Sequence, residues 1–276
     1  MKVEPRTLPG FMELLPKEQI QFNSMIDKIR SSYERFGFLP IDTPIIESAE
    51  VLLAKAGGET EKQIYRFEKG ENDLALRFDL TVPLAKYVTQ YYNDITFPFK
   101  RYQIGKVYRG EKPQKGRYRE FYQCDIDIIG DGELSLINDA EIPSVIYTTI
   151  KSFGFDNFTI RMNNRKILNG LFAELALEEN AVEIMRIIDK LEKIGEEKVV
   201  KCLEDLQISK EKIDIIMQFL AIDGTTDEKL EALQQLNFKN ELFKQGLAEL
   251  TEVVKNVRLF GVPEANFKVD LTIARG

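Results

Sequence analysis

KRYQIGKVYRGEKPQKGRYREFYQCDIDIIG, residues Lys100 to Gly130, is the stretch whose reading decides the fold. Two runs alternate in polarity, Gln103 to Arg109 and Arg119 to Ile129, and the polar segment Gly110–Tyr118 between them carries the breakers Pro113 and Gly116. That pattern predicts two strands joined as a hairpin with a long loop. Successive strand side chains point to opposite faces. In the second run Tyr122, Cys124, Ile126 and Ile128 then share one face, which reads as an ordinary core face. Phe121, Gln123, Asp125 and Asp127 share the other, with Arg119 at its head. A ring, an amide and two carboxylates in a row suit a binding surface, although a solvated antiparallel sheet also turns polar groups outward.

Charge separates these two readings. Lys100 to Arg119 holds eight basic residues (Lys100, Arg101, Lys106, Arg109, Lys112, Lys115, Arg117, Arg119) against the single acid Glu111. The rest of the chain keeps 30 of the 38 basic and 44 of the 45 acidic residues, a balance of −14. A basic hairpin in an acidic protein points to an anion site, phosphates or a nucleic-acid backbone. The chain contains no histidine, so Ser-His and Cys-His nucleophile systems and His-ligated metals are excluded. At 276 residues, 43% hydrophobic and 30% charged, it has the composition of a globular protein able to bury a sizeable core. There is no basic-then-apolar leader pattern and no apolar run of spanning length, so no membrane association and a cytoplasmic location are expected. Cys124 and Cys202, two and far apart, offer neither a disulfide framework nor a CxxC site.

Outward from the hairpin, Arg6–Leu15 has loop punctuation at Pro9-Gly10. From Pro16, the residues Ile20, Phe22, Met25, Ile26, Ile29, Tyr33 and Phe36 recur at helical spacing until Gly37. Phe38–Glu47 is an apolar run broken by Pro40 and Pro44, which favours an edge or interface strand. Ile64–Glu68 and Leu74–Asp79 read as a second hairpin, followed by a helix with Thr81 as its N-cap and Pro83 in its first turn. Asn138–Phe153 reads as a helix and Phe158–Met162 as a short strand. From Arg165 to about Val257 only helical sets follow, such as Ile167, Leu168, Leu171 and Phe172, or Ile213, Ile216, Phe219 and Leu220. Phe267–Ala274 reads as a last strand. The expected class is α+β, a mainly antiparallel sheet flanked by helices with an all-helical insertion. The expected divisions are a core at 1–164, the insertion at 165–257 and a return to the core at 258–276.

Arg109-Gly110-Glu111, the loop PQKGRYREF and Gln123-Cys124-Asp125-Ile126-Asp127 resemble motif 2 of class II aminoacyl-tRNA synthetases, and more narrowly the histidyl-tRNA synthetases. RTLPGFMELL resembles that family's N-terminal signature, and the helix, Gly37 and proline-bearing strand resemble motif 1, which builds the homodimer interface in class II enzymes. The resemblance implies ATP-dependent activation of histidine and its transfer to tRNA-His, with Mg²⁺ accompanying ATP and no metal ligand assigned to a protein side chain. It places Arg109 on the α-phosphate and the histidine carboxylate, as a guanidinium fork favours. Glu111 would meet the adenine amino group, Arg117 the terminal phosphates, and Phe121 would stack on adenine. Asp79, Thr81 and Gln123 would hold the α-ammonium, and Asp127 the imidazole ring, whose two nitrogens both donate when protonated. The alternative for Asp127 is a pairing with a nearby Arg or Lys that only fixes the sheet. FKVDLTIA followed by Arg275-Gly276 resembles the start of the histidyl-specific element, making Arg275 a second catalytic candidate that binds the α-phosphate and histidine. The remainder of that element, motif 3 and the anticodon-binding domain have no counterpart, so a truncated catalytic portion, poorly active alone, is expected. The helical insertion would contact the tRNA acceptor end. The alternative function is a synthetase-like regulatory subunit of ATP phosphoribosyltransferase, although such paralogues usually lose the ATP-binding residues; a plain RNA-binding module comes third.

Overall fold

A computed structural model describes residues 3–54 and 59–274. The chain divides into two compact units, Met1–Leu134 and Ser135–Gly276. The first contains helix α1 (Pro16–Arg35), strands β1 (Leu39–Pro40) and β2 (Ile46–Ser48), and helices α2 (Ala49–Leu53) and α3 (Glu59–Gln63). Strands β3 (Arg66–Lys69) and β4 (Asn72–Leu76), helix α4 (Thr81–Gln90) and the long strands β5 (Phe99–Tyr108) and β6 (Glu120–Ile129) follow. The strands form two three-stranded sheets, ordered β1-β5-β6 and β2-β4-β3, in which every pairing is antiparallel except β1 with β5. The expected α+β class is observed.

The central hairpin forms over both alternating runs, but the expected core face of β6 is only half covered. Tyr122 is 42% exposed and no residue of β6 is fully buried. The reason is position: among the described residues β6 is the edge of its sheet, and β5, between two neighbours, is the buried strand. Helix α1 lies over this face. Tyr33 donates through its hydroxyl to the Cys124 carbonyl at 2.9 Å, and its ring stands 5.7 Å from that of Tyr102. The rings of Phe22 and Tyr122 are 5.0 Å apart. Burial drives the Tyr33 hydroxyl above its ordinary pKa and pushes the Cys124 thiol up to about 11.

Two local expectations change. The cap of α4 is not Thr81, which is the first helical residue; the Asp79 carboxylate reaches over Leu80 and takes the amides of Thr81 and Val82 at 3.1 and 3.0 Å. The last strand is also shorter than Phe267–Ala274. It ends at Val269, because Asp270 folds its carboxylate onto the amide and hydroxyl of Thr272 at 3.1 and 2.7 Å, turning the chain.

The second unit comprises α5 (Ile137–Ser152), β7 (Ile160–Met162), α6 (Arg165–Glu174), α7 (Ala181–Ile188), α8 (Leu191–Ile194) and α9 (Glu196–Asp205). It continues with α10 (Lys210–Leu220), α11 (Thr226–Gln235), α12 (Glu241–Leu259) and β8 (Phe267–Val269), which runs parallel to β7. Its core is the set the helical spacing singled out: Ile167, Leu168, Leu171 and Phe172 are sealed from solvent, as are Ile184 and Ile216. Helices α6 and α12 approach through paired glycines. A Cβ on Gly170 would lie 2.4 Å from the Phe243 amide nitrogen, and one on Gly246 would lie 2.8 Å from that of Ile167. Asn164, Thr225 and Asn240 cap α6, α11 and α12 with their side chains.

Candidate active site

The paired strands β5 and β6 stay in register for ten residues, with Arg101 opposite Asp127, Gln103 opposite Asp125, Gly105 opposite Gln123 and Val107 opposite Phe121. Directly opposed residues of an antiparallel ladder project to the same face. One face of the hairpin therefore carries a row that is acidic toward Asp127 and opens, at its loop end, onto arginines.

At the loop end the Arg109 guanidinium lies between two rings, 4.4 Å from the centre of Phe78 and 5.0 Å from that of Phe121. Its Nε donates to the Phe78 carbonyl at 3.2 Å. Stacking and hydrogen bond together fix the plane of the fork while leaving its charge available. Beyond it Gln114 and Arg117 exchange backbone hydrogen bonds of 3.2 and 2.9 Å around Gly116, whose φ of 79° suits glycine. Arg117 Nη1 stands 3.4 Å from Glu111 Oε2, and Arg119 Nε donates to the Glu111 carbonyl at 3.0 Å. Arg109, Glu111, Arg117 and Phe121, the four residues expected to meet ATP, thus line one cavity of about 350 Å³ together with Gly116 and Tyr118. The loop is anchored from two sides. The Gly10 carbonyl accepts the Arg119 amide at 2.7 Å, and the Gln63 carbonyl accepts that of Gly110 at 2.7 Å.

At the acidic end Asp79 serves α4 through Oδ1 alone. Burial raises the pKa of Asp125, reinforced by Asp127 and Asp79 and opposed by Arg101 and Arg109, so these four charged groups surround it. Asp127 is ion-paired with Arg101, whose side chain is 0% exposed while that of Asp127 is 36% exposed. The pairing foreseen as the alternative for Asp127 is therefore present, and it does not remove the carboxylate from solvent. Gln123 shares this face, and its Oε1 is buried without a hydrogen-bond partner among the described residues. Thr81 stands at the first turn of the helix that Asp79 caps. Arg275 lies outside the described residues.

Sequence reading missed four supporting side chains. Phe78 forms the second wall of the Arg109 stack. Arg101 is the buried counter-charge of Asp127. Gln103 donates to Asp42 Oδ1 and Thr43 Oγ1, both at 3.0 Å. Arg77, 2% exposed, passes beneath Gly105, donating to the carbonyls of Lys106 at 2.7 Å and Thr43 at 2.6 Å. Only Gly105 carried a signal, as a glycine inside an alternating strand, where a close approach is a common cause.

Chemically, the arrangement offers an oriented guanidinium between a polar cavity and a row of carboxylates. That suits a phosphate-bearing ligand meeting a second ligand whose own carboxylate seeks the arginine and whose cationic groups seek the acids.

Comparison with known proteins places the chain in a family. The family model described as Histidyl-tRNA synthetase matches residues 10–276. A histidine–tRNA ligase of Clostridium tetani is 60% identical over 99% of the chain, which covers 62% of that relative. Among solved structures, histidyl-tRNA synthetase from Nostoc sp. PCC 7120 superposes with a TM-score of 0.92 at 43% identity, over 100% of this chain and 63% of that one. A Bacillus halodurans protein described as an ATP phosphoribosyltransferase regulatory subunit/histidyl-tRNA synthetase shares the fold, with a TM-score of 0.83 at 23% identity, over 99% of this chain and 69% of that one. The chain thus spans less than two thirds of the length of the histidine–tRNA ligase it matches.

Proposed function

Because the chain belongs to the histidyl-tRNA synthetase family, we propose that it supplies the catalytic face of a histidine–tRNA ligase, activating histidine with ATP and passing it to tRNA-His. The observation that carries this reading is the ring-clamped Arg109, standing between the Glu111–Arg117–Phe121 cavity and the acidic row ending at Asp127. A histidine carboxylate oxygen attacks the α-phosphorus of ATP, the new O–P bond forms, and the bond to pyrophosphate breaks. Arg109 neutralises the charge that gathers on the α-phosphate and holds the attacking carboxylate beside it, so the step needs positioning and charge stabilisation but no protein nucleophile. Arg117 exchanges Glu111 for the terminal phosphates, which frees Glu111 for the adenine amino group, and Phe121 stacks on the base. Asp79, Thr81 and Gln123 take the α-ammonium and Asp127 the ring. Arg275 is retained as a second arginine for the α-phosphate. The aminoacyl group then passes to a tRNA hydroxyl with loss of AMP.

Mg²⁺ would enter on the ATP phosphates, where it usually keeps most of its own water, and would supply further neutralisation there. Among the described residues no cluster of three or more His, Cys, Asp or Glu is poised to hold a metal, and we assign it no protein ligand. Homodimerisation is supported by apolar side chains that the first unit leaves in water, including Ile20 at 70%, Leu39 at 61% and Ile46 at 49% exposed. We retain residues 165–257 as a helical insertion between catalytic segments 1–164 and 258–276, supported by the unbroken run from α6 to α12 between β7 and β8. Contact with the tRNA acceptor end is its proposed role. No helix among the described residues is long and apolar enough to cross a membrane, and a cytoplasmic site of action fits the proposed substrates.

The test is amino-acid-dependent ATP–pyrophosphate exchange, with the chain extended to its relatives' full length. Exchange driven by histidine and by no other amino acid supports the assignment. Histidine binding without any exchange would instead favour a regulatory subunit.

A further inference from the structure

Arg101 stands out because it is a complete cation inside a sheet. It occupies the middle strand of β1-β5-β6, registered against Leu39 on one side and Asp127 on the other. Its side chain is 0% exposed, yet Nε, Nη1 and Nη2 all lack a hydrogen-bond partner among the described residues. The contact of Nη2 with Asp127 Oδ2 is an ion pair without a well-directed hydrogen bond. A guanidinium carries five donors, and burying them unmatched is costly. Burial accordingly pulls Arg101 below its ordinary pKa, against the pull of Asp127 and Asp125. A pair kept only to join two strands would be served as well by apolar residues of similar volume, which often stabilise where a buried ion pair does not. The asymmetry of the pair is the informative feature. The cation is sealed, while its carboxylate, 36% exposed, opens onto the face that carries Gln123 and Asp125.

We propose that Arg101 is a positioning residue for Asp127, holding that carboxylate in place and aimed at the cationic ring of the substrate from the neighbouring strand of the same face. The inference rests on the function proposed above. Arg101 does not touch the ligand; it acts through one oxygen of Asp127 and leaves the other for a ring N–H. Arg101 also opposes the rise that burial, with Asp127, imposes on the pKa of the neighbouring Asp125. A neutral residue at 101 would leave two carboxylates, two positions apart on one strand face, with Arg109 as the remaining described cation acting on Asp125.

The experiment uses the purified chain with Arg101→Met, which approximates the side chain's length without its charge, and Arg101→Lys, which keeps the charge without the fork. L-histidine and ATP are titrated separately by calorimetry into wild type, both variants, Asp127→Asn and the double variant Arg101→Met/Asp127→Asn. Histidine affinity is expected to fall at least tenfold in Arg101→Met and partly to recover in Arg101→Lys, with ATP affinity within twofold throughout. The double variant is expected to bind histidine no worse than Asp127→Asn, since both changes remove one interaction. Histidine affinity within twofold of wild type in Arg101→Met, or equal losses for both ligands, overturns the proposal. A second measurement stands apart from the substrate assignment: the Hα–Hβ couplings of Asp127 report whether its side chain holds one rotamer. A single rotamer in wild type that averages in Arg101→Met supports positioning even if the wild-type chain binds no histidine, a result that would count against the proposed function alone. Unchanged couplings refute it.

Discussion

Gly105→Ala should destabilise the protein by about 2–4 kcal/mol, far more than a single methyl at a strand position ordinarily would. The added Cβ would sit 2.5 Å from Arg77 Nη2, 3.3 Å from its Cζ and 3.7 Å from Leu80 Cδ2. Reaching ordinary contact at 3.4 Å requires the guanidinium to retreat about 0.9 Å. The end of an arginine usually gives way cheaply, but this one is 2% exposed and fixed by hydrogen bonds of 2.7 Å to the Lys106 carbonyl and 2.6 Å to that of Thr43. Losing one such charged bond costs about 1.5–3 kcal/mol and losing both about twice that, while replacing glycine inside a strand returns about 0.5–1 kcal/mol. Urea unfolding followed by far-UV circular dichroism measures the difference. A change below about 0.5 kcal/mol, or a gain in stability, would refute the idea that Gly105 exists to admit Arg77. The variant should also weaken ligand binding, because Gly105 and its register partner Gln123 project to the same face.

Asp79→Ala should cost about 1 kcal/mol by uncapping α4, whereas Asp79→Asn, which keeps an acceptor oxygen, should retain most of that stability and still lose histidine affinity; equal histidine binding in wild type and Asp79→Asn would remove Asp79 from the ammonium site. Cys124 should react with iodoacetamide about a hundredfold more slowly at pH 8 than a thiol of ordinary pKa 9.0, because burial pushes its thiol up to about 11 and depletes the thiolate; peptide mapping of the alkylated chain reads this, and rapid modification of the folded protein would contradict it. Sedimentation at micromolar concentration should show a dimer that Ile20→Glu or Leu39→Glu dissociates, and a wild-type monomer would mean that the apolar surface of α1 and β1 is not a self-association face in this chain.

Much of this was legible in the sequence, and what was not has local physical causes. The alternation in Arg119 to Ile129 identified β6 because a period of two survives even at a sheet edge. The same alternation could not show that Tyr122 and Ile126 lie on a partly open face, since that depends on how many neighbours the strand acquires. The helical sets from Ile167 to Leu220 were readable because each helix buries one continuous stripe. The cap of α4 was misplaced by two residues because Thr81 and Asp79 are both good capping types, and the choice rests on the turn that Leu80 makes, with φ −102° and ψ −4°. Phe267–Ala274 lost its second half to a side-chain turn at Asp270, which competes with the ladder for the same backbone amides. The Arg101–Asp127 pair was hidden by the loop. Counting outward from the Gln114–Arg117 turn would set Arg101 against Gly130, and only the three-residue offset between turn and strand registers brings it opposite Asp127. The four ATP candidates, all at the hairpin's loop end, were found because they belong to one contiguous stretch.

The most direct measurement of the central claim is histidine-dependent ATP–pyrophosphate exchange in wild type and Arg109→Ala, each extended to the relatives' full length. Arg109 is the group placed to bear charge on both reacting partners, held between Phe78 and Phe121. Its removal should lower kcat/KM for exchange by about 10²–10³, the loss of several kcal/mol expected when a key charge-stabilising donor is deleted. Exchange within twofold of wild type would place the chemistry elsewhere and contradict the account.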